Sequence, residues 1–185
     1  MNKREHTPTG PFTLDTQQAR NHGIDNKLVK AIAAIIPAGS SIIDIGAAKG
    51  DYVRAFRKVG YKTHGIDGTK GIFELTGGLV EEQDLTKDCS ALRARCDWGL
   101  FLEVGEHIPR QYEDAVIDRV CKIPMVGLIV SWCPFSGPGH VNCQRPPYVA
   151  NAFGLRRWRL DTQDTYEIRS KIRRPLSGRL MVFRR

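Results

Sequence analysis

Three residues that could do chemistry lie within one short stretch of the sequence, LEVGEHIPR at residues 102–110. Glu103, Glu106 and His107 are three and four places apart, so a single helical turn would gather them on one face. Two carboxylates and an imidazole make an incomplete set of ligands for a divalent metal ion, and an imidazole can also act as a general base. A fourth side chain, His140, lies in the glycine- and proline-rich loop SGPGHVNCQ at residues 136–144.

Short apolar runs alternate along the chain with longer segments of helical periodicity, which predicts an α/β fold with a mostly parallel sheet. The predicted helices cover residues 24–36, 50–60, 69–76, 88–95, 109–121 and 148–160. The predicted strands cover residues 41–46, 61–67, 78–84, 96–104, 125–132, 166–173 and 179–185. A tight turn would join the last two strands as a hairpin, so the final strand should run against the others.

Acidic residues end the first three predicted strands, at Asp44, Asp67 and Asp84. Ligands of such sheets bind beyond the carboxyl ends of the strands, so these three side chains should face a ligand. The loop DIGAAKG at residues 44–50 has the spacing of neither a dinucleotide fingerprint nor a phosphate-binding P-loop. Three carboxylates would repel a pyrophosphate, so they favour an adenosine that carries positive charge.

The ordered set DIGAAKG (44–50), GID (65–67), QDL (83–85) and the closing pair of strands resembles the class I S-adenosylmethionine-dependent methyltransferases, over residues 24–185. The resemblance implies one Rossmann-like domain with helices on both faces and strand order 3-2-1-4-5-7-6, strand 7 being antiparallel. It implies that the methyl donor is held by Asp44, Gly46, Gly50, Asp67, Asp84 and Leu85. Gly68 departs from the family, where the residue after the ribose-binding acid is often bulky and packs on adenine.

The pattern E-x-x-E-H after the fourth strand, with a histidine after the fifth, resembles the metal-dependent small-RNA 2′-O-methyltransferases. Related patterns occur in O-methyltransferases of the ubiquinone pathway. This resemblance implies that Mg²⁺ or Mn²⁺ is held by Glu103, Glu106, His107 and His140. Without a metal, His107 or His140 becomes the candidate general base, while Glu103 lines the methionyl part of the donor.

The acceptor is left open by the sequence. The loop SWCPFSGPGHVNCQRPPYV at residues 131–149 is similar to one in a group of uncharacterised or glycan-associated bacterial methyltransferases, which favours a sugar or small molecule. The small-RNA resemblance instead favours RNA. Residues 156–185 hold 10 basic and 3 acidic residues, so most of the net charge of +8 lies in this tail.

The residues fit two other functions less well. Methylation of an amino group of a nucleic acid is disfavoured, because FLEV at residues 101–104 stands where such enzymes often have a polar-aromatic tetrad. A non-catalytic module that binds S-adenosylmethionine is the third hypothesis.

Domain organisation and location follow from composition. Residues 1–15 contain prolines and a glycine with little periodicity and predict a flexible arm, and residues 16–185 predict the methyltransferase domain. The five cysteines lack the paired spacing of a zinc site and are interpreted as reduced packing residues. No secretory signal and no apolar run of about 20 residues is present, so a cytoplasmic protein without membrane partners is expected.

Overall fold

The computed structural model describes residues 24–87 and 96–185. The predicted arm at residues 1–15 and the predicted helix at 88–95 lie outside these ranges. The described chain forms one sheet of seven strands in the order β3-β2-β1-β4-β5-β7-β6, which confirms the predicted order. The strands are β1 Ser41–Ile45, β2 Lys62–Asp67, β3 Val80–Glu82, β4 Cys96–Leu102, β5 Pro124–Ser131, β6 Arg159–Leu160 and β7 Met181–Arg184. Strands β1 to β5 are parallel, and β7 runs antiparallel to both β5 and β6.

Helices cover both faces of this sheet, as predicted. They are α1 Asn26–Ala33, α2 Asp51–Lys58, α3 Ile72–Leu75, α4 Glu113–Val120, α5 Pro146–Gly154 and α6 Thr162–Lys171. Successive strand residues point to opposite faces, so Ile43 and Ile45 join the core under α4 and α5 while Ile42 joins the core under α1 and α6. The sheet therefore lies between two apolar layers. The loops that carry the polar side chains lie at its carboxyl edge.

The sixth strand was predicted wrongly. Residues 166–171 of the predicted strand 166–173 belong to α6, and the sixth strand is the two-residue β6 inside the predicted helix 148–160. The alternation of Ile168 and Ile172 with polar residues suggested a strand, but the buried positions Thr165, Ile168 and Ile172 also repeat at helical spacing. Asp161 caps the helix by accepting a hydrogen bond from the Asp164 amide at 2.9 Å.

Helix α6 changes how the chain enters the last strand. A ten-residue helix and a short 3₁₀ turn, Leu176–Gly178, replace the expected hairpin turn between β6 and β7. Because β7 is antiparallel to β5, with Met181 opposite Val130, the chain enters β7 at the carboxyl edge of the parallel strands. This path brings Arg179 to the same edge as the loops after β4 and β5.

Within residues 24–87 and 96–185, no helix is both long enough and apolar enough to cross a bilayer.

Candidate functional site

The loop after β1 is folded tightly against the end of β2. The amides of Gly46 and Ala47 both donate to the carbonyl oxygen of Ile66, at 2.8 and 2.9 Å. Gly46 and Gly50 have φ angles of +83° and +76°, which glycine adopts without a steric penalty. A Cβ on Gly50 would come within 2.8 Å of Leu79. Both glycines are therefore required by the backbone path that lets α2 begin directly over the strand ends.

Asp67 ends β2 and holds two neighbouring loops. Its carboxylate accepts hydrogen bonds from the backbone amides of Ala48, at 2.8 Å, and Thr69, at 2.9 Å. Its carbonyl oxygen accepts from the amide of Gln83, at 2.7 Å, which attaches the end of β3. A carboxylate has about four acceptor positions, so Asp67 retains capacity for the hydroxyls of a ligand. The predicted position of Asp67 at the ligand edge agrees with the structure.

Asp44 lies inside the end of β1, where it is 5% exposed. Burial, followed by the negative charges of Asp67 and Asp51, raises the pKa of Asp44 to about 7. Two acidic side chains that repel each other at the carboxyl edge of the sheet are stabilised by any ligand that brings positive charge. Asp44 also acts on Tyr52 of α2, whose pKa is raised to about 12 mainly by burial, with the charges of Asp25, Asp44 and Glu103 adding to the effect.

Asp84 and Leu85 follow β3 and differ in their surroundings. The carboxylate of Asp84 accepts from the amide and the hydroxyl of Thr86, at 2.9 and 2.6 Å, and forms an ion pair with Lys87. Leu85 is buried in the core on the α4 face, and its carbonyl oxygen accepts from Arg119 at 2.6 Å. Both residues are at the carboxyl edge, as predicted.

Glu103 does not share a helical face with Glu106 and His107. It has a left-handed φ of +57°, and only Gly105–His107 forms a short 3₁₀ turn. The carboxylate of Glu103 instead forms a two-pronged ion pair with the guanidinium of Arg179, one hydrogen bond being 2.9 Å long. A non-glycine residue in this conformation is strained, and such strain concentrates at functional sites. Sequence reasoning missed this pair because 76 residues separate its partners.

Glu106 points into the protein. Its side chain is 1% exposed, and among the described residues neither carboxylate oxygen has a hydrogen-bond partner. Burial, followed by the charge of Glu103, raises the pKa of Glu106 to about 7. Its backbone carbonyl accepts from the amides of Val141 and Asn142, at 2.8 and 3.0 Å, so the loop after β5 is bound to the loop after β4.

The two histidines lie against each other at 81°, with ring centroids 4.9 Å apart. Nδ1 of His107 lies 2.9 Å from the carbonyl oxygen of Gly139, and Nδ1 of His140 lies 2.7 Å from that of Phe135. A carbonyl oxygen only accepts, so each Nδ1 carries the proton in these bonds. The sequence prediction that His140 would approach the Glu106–His107 turn agrees with this contact.

A third side chain joins Glu106 and His140, and sequence reasoning did not include it. The potential ligand atoms of Glu106, Cys133 and His140 all lie within 4.8 Å of one another. Cys133 is buried and follows β5 directly. A sequence signal existed, because Cys133 is two residues beyond the end of a parallel strand, where side chains face the ligand edge.

Asn142 and Trp132 are structural in this loop. The side-chain amide of Asn142 donates to the buried carboxylate of Glu113 at 2.7 Å, and the hydroxyl of Tyr148 also donates to this carboxylate. Trp132 is 1% exposed and donates from its indole nitrogen to the carbonyl oxygen of Asn142 at 2.6 Å. These bonds fasten the loop over α4 and α5, and thereby fix the position of His140.

Comparisons with known proteins find the fold but no sequence relative. No protein-family profile matches the chain, and no curated protein matches it in sequence. Magnesium protoporphyrin IX methyltransferase from Synechocystis PCC 6803, with bound SAH, superimposes with a TM-score of 0.67 at 14% identity, covering 92% of each chain. A TehB-like SAM-dependent methyltransferase from Corynebacterium glutamicum gives 0.66 at 17% identity, covering 91% of this chain and 94% of that one.

A third similar structure is 1,6-didemethyltoxoflavin-N1-methyltransferase from Burkholderia thailandensis, with bound 1,6-didemethyltoxoflavin and S-adenosylhomocysteine. Its TM-score is 0.62 at 16% identity, and the match covers 92% of this chain and 81% of that one. At such low identities the likeness concerns the fold. This chain thus has the fold of the S-adenosylmethionine-dependent methyltransferases.

Proposed function

We propose that this protein is an S-adenosylmethionine-dependent methyltransferase that methylates a hydroxyl oxygen of a small acceptor. The observation that carries the proposal is the pair Asp44 and Asp67, two neighbouring carboxylates at adjacent strand ends, one of them buried. A ligand with a sulfonium and an ammonium group supplies the positive charge that this pair lacks. The structures with the same fold that contain SAM or SAH support this choice of donor.

The donor-binding roles proposed here are those expected from the sequence. Asp44 would face the positively charged methionyl part, with Gly46 and Gly50 giving the backbone room to approach it. Asp67 would accept hydrogen bonds from the ribose hydroxyls, while Asp84 and Leu85 would border the adenine. In this arrangement the methyl group would point toward the loops after β4 and β5.

The acceptor would then bind beside the loops after β4 and β5, which contain Glu103 and His140. In the transfer, the acceptor oxygen forms a bond to the methyl carbon as the sulfur–carbon bond breaks, and the hydroxyl proton must leave. Without a bound metal ion, His107 or His140 is the proposed general base, since a neutral imidazole can accept the proton. Glu103, held by Arg179, is proposed to line the methionyl part of the donor.

Divalent-metal assistance is the second part of the proposal, and Mg²⁺ or Mn²⁺ would be held by Glu103, Glu106, His107 and His140. Glu106 supports this part, because a buried carboxylate without a hydrogen-bond partner among the described residues is stabilised by a cation. Glu103 fits less well, since it would have to exchange its ion pair with Arg179. A bound ion would lower the pKa of the acceptor hydroxyl and orient it.

A small molecule or sugar is favoured over RNA as the acceptor. Part of the basic tail is already paired within the protein: Arg156 binds Asp114 and Asp118, and Arg184 binds Asp161 and Asp164. Arg179 is paired with Glu103. These three arginines already face carboxylates, so they would add less to the attraction for a polyanion such as RNA than unpaired arginines would.

Calorimetry with S-adenosylmethionine tests the donor site. Asp67→Asn should weaken binding about 10- to 100-fold, the loss expected for hydrogen bonds to a charged group. Glu81→Gln, which removes an exposed carboxylate on the neighbouring β3, should leave binding unchanged. No heat with the wild type, or equal binding by both variants, would contradict the proposed donor site.

Transfer of a labelled methyl group into separate metabolite, glycan and RNA pools tests the acceptor. We expect label in a metabolite or sugar, as an ether that resists alkaline hydrolysis. Label on nitrogen or only in RNA would refute the proposed acceptor, and donor binding without transfer to any pool would indicate a non-catalytic module. Transfer at full rate in the presence of a chelator would exclude the metal-assisted part.

A further inference from the structure

We propose that Glu106, Cys133 and His140 form a site for a thiolate-binding transition metal, with Zn²⁺ as the preferred ion. The inference deepens the proposed function, on whose divalent-cation site it rests, and it changes both the ligand set and the class of metal. Cys133 replaces Glu103, which is engaged by Arg179. One oxygen, one sulfur and one nitrogen are ligands that zinc accepts together, whereas Mg²⁺ prefers oxygen alone.

The carboxylate of Glu106 provides the first independent sign of a ligand. It is buried to 99%, and neither of its oxygens accepts a well-formed hydrogen bond in the part of the chain that the structure describes. The backbone amides of Glu106 and Cys133 nevertheless lie close enough to offset slightly the rise in its pKa that burial causes. Buried polar groups are nearly always satisfied, so an orphaned carboxylate needs an explanation. A bound cation next to Cys133 and His140 would supply the missing partner of both oxygens.

His140 has the second feature of a metal ligand. Its Nδ1 donates to the carbonyl oxygen of Phe135 at 2.7 Å. Metal-binding histidines nearly always donate their other ring nitrogen to a backbone carbonyl or carboxylate, which fixes the tautomer and orients the ring. The bond leaves Nε2 as the lone-pair nitrogen. Gly137 leaves space for this ring, because a Cβ there would lie 3.0 Å from it.

Cys133 is brought to the same place by the end of β5. Its thiol lies 3.6 Å from the carbonyl oxygen of Phe135, which also accepts from Cys143 at 3.1 Å. A carboxylate oxygen of Glu106, the sulfur of Cys133 and one ring nitrogen of His140 lie within 4.8 Å of one another, whereas ligands of one Zn²⁺ stand about 3–4 Å apart. Small side-chain rotations would therefore complete the site, and the thiol would release its proton to solvent on binding.

Three protein ligands leave the fourth position of a tetrahedral zinc ion for water or a substrate oxygen. The loops after β4 and β5 carry all three ligands, and these loops also hold His107. The site would therefore fasten the two loops to each other and place an ion where the proposed acceptor hydroxyl arrives.

Cobalt spectroscopy on the full chain, reduced and stripped of metal, tests the ligand set without any methyl donor or acceptor. We expect one Co²⁺ per chain with an intense near-ultraviolet band from the sulfur–cobalt bond, displaced by equimolar Zn²⁺ and unaffected by excess Mg²⁺. Cys133→Ser should abolish the sulfur band, and Glu106→Gln and His140→Asn should each lower the Zn²⁺ affinity at least tenfold. Cys121→Ser, which alters a buried cysteine just after α4, should change neither the sulfur band nor the Zn²⁺ affinity.

Three results would overturn this inference: no sulfur band, an unchanged band in Cys133→Ser, or a band that disappears only in Cys143→Ser. Urea unfolding of each variant separates the loss of a ligand from the loss of the fold, and the partly exposed His140→Asn remains informative if a buried variant does not fold. Zinc binding without methyl transfer would refute only the proposed function. Methyl transfer that Mg²⁺ stimulates equally in Cys133→Ser would refute only the zinc site.

Discussion

The ion pair between Glu103 and Arg179 should make a measurable contribution to the free energy of unfolding. The side chains are 32% and 11% exposed, so the pair lies between a surface salt bridge and a fully buried one. Breaking a buried pair costs about 3–5 kcal/mol, and exposed pairs contribute about 0.2–1 kcal/mol. With about a third of the carboxylate in solvent, we expect a coupling energy of about 1–2 kcal/mol.

A double-mutant cycle measures this coupling. Glu103→Gln and Arg179→Met remove the charges but keep the side-chain volumes, and Gln retains the left-handed backbone at position 103. Unfolding in urea, followed by tryptophan fluorescence, gives the free energies of the wild type, both single variants and the double variant. The exposed pair Glu167–Lys171 on α6, whose side chains are 48% and 44% exposed, is the matched control with an expected coupling of about 0.3–0.5 kcal/mol.

A coupling at Glu103–Arg179 no larger than that of the control pair would refute this reasoning. Glu103 would then be available to other partners, including a hard metal ion. A coupling of the expected size would mean that any ligand seeking the Glu103 carboxylate must first displace a guanidinium.

Three further predictions concern stability. Gly105→Ala should cost about 1–3 kcal/mol in urea unfolding because its Cβ would meet a buried indole ring, whereas Gly154→Ala, with open space around it, should be neutral or slightly stabilising. The folded-state pKa of Asp44, about 7, exceeds its ordinary value, so the native state holds an extra proton and wild-type stability falls as pH rises from about 4 to about 7. In the Asp44→Asn variant this decrease in the free energy of unfolding, on the order of 3 kcal/mol, should be absent. Equal pH dependence of stability in the wild type and the variant would contradict the raised pKa of Asp44. Ile168→Ala should cost about 2–5 kcal/mol, but Tyr166→Ala, at a 74% exposed position of α6, should stay within about 0.5 kcal/mol.

The donor side of the site could be predicted because its signals are local. Asp44 and Asp67 each lie near the end of a short predicted strand, and parallel strands all end at the carboxyl edge of the sheet. Gly46 and Gly50 mark the turn between strand and helix in the same way. Strand order then places these neighbouring ends together without any knowledge of long-range contacts.

The other side of the site depends on contacts between distant parts of the chain. Nothing in LEVGEHIPR indicates that Glu103 turns toward Arg179, whereas Glu106 turns inward. The spacing suggests one helical turn. In the structure Glu103 has a left-handed backbone conformation and lies outside the 3₁₀ turn that contains Glu106, so the two carboxylates point in different directions. The cysteines lack the paired spacing of a zinc site, so the sequence predicts that Cys133 only packs, and nothing local indicates that it lies beside Glu106 of another loop.

Helix α6 shows a second limit of pattern reading. The segment YEIRSKIR alternates like a strand, and its buried residues also fit a helix, so periodicity alone does not decide between the two. The cap at Asp161 favours the helix and could have been read from the sequence DTQD. The position of Arg179 could not be read from the sequence, because it depends on the long connection from β6 to β7 through α6.

A crystal structure with bound S-adenosylmethionine, or its unreactive analogue sinefungin, tests the proposed cleft most directly. We predict that the ribose hydroxyls bind Asp67, that the positively charged methionyl part faces Asp44, and that the transferable group points at the loops carrying Glu103, Glu106 and His140. A nucleoside bound away from the ends of β1 and β2, or a transferable group directed away from those loops, would contradict it.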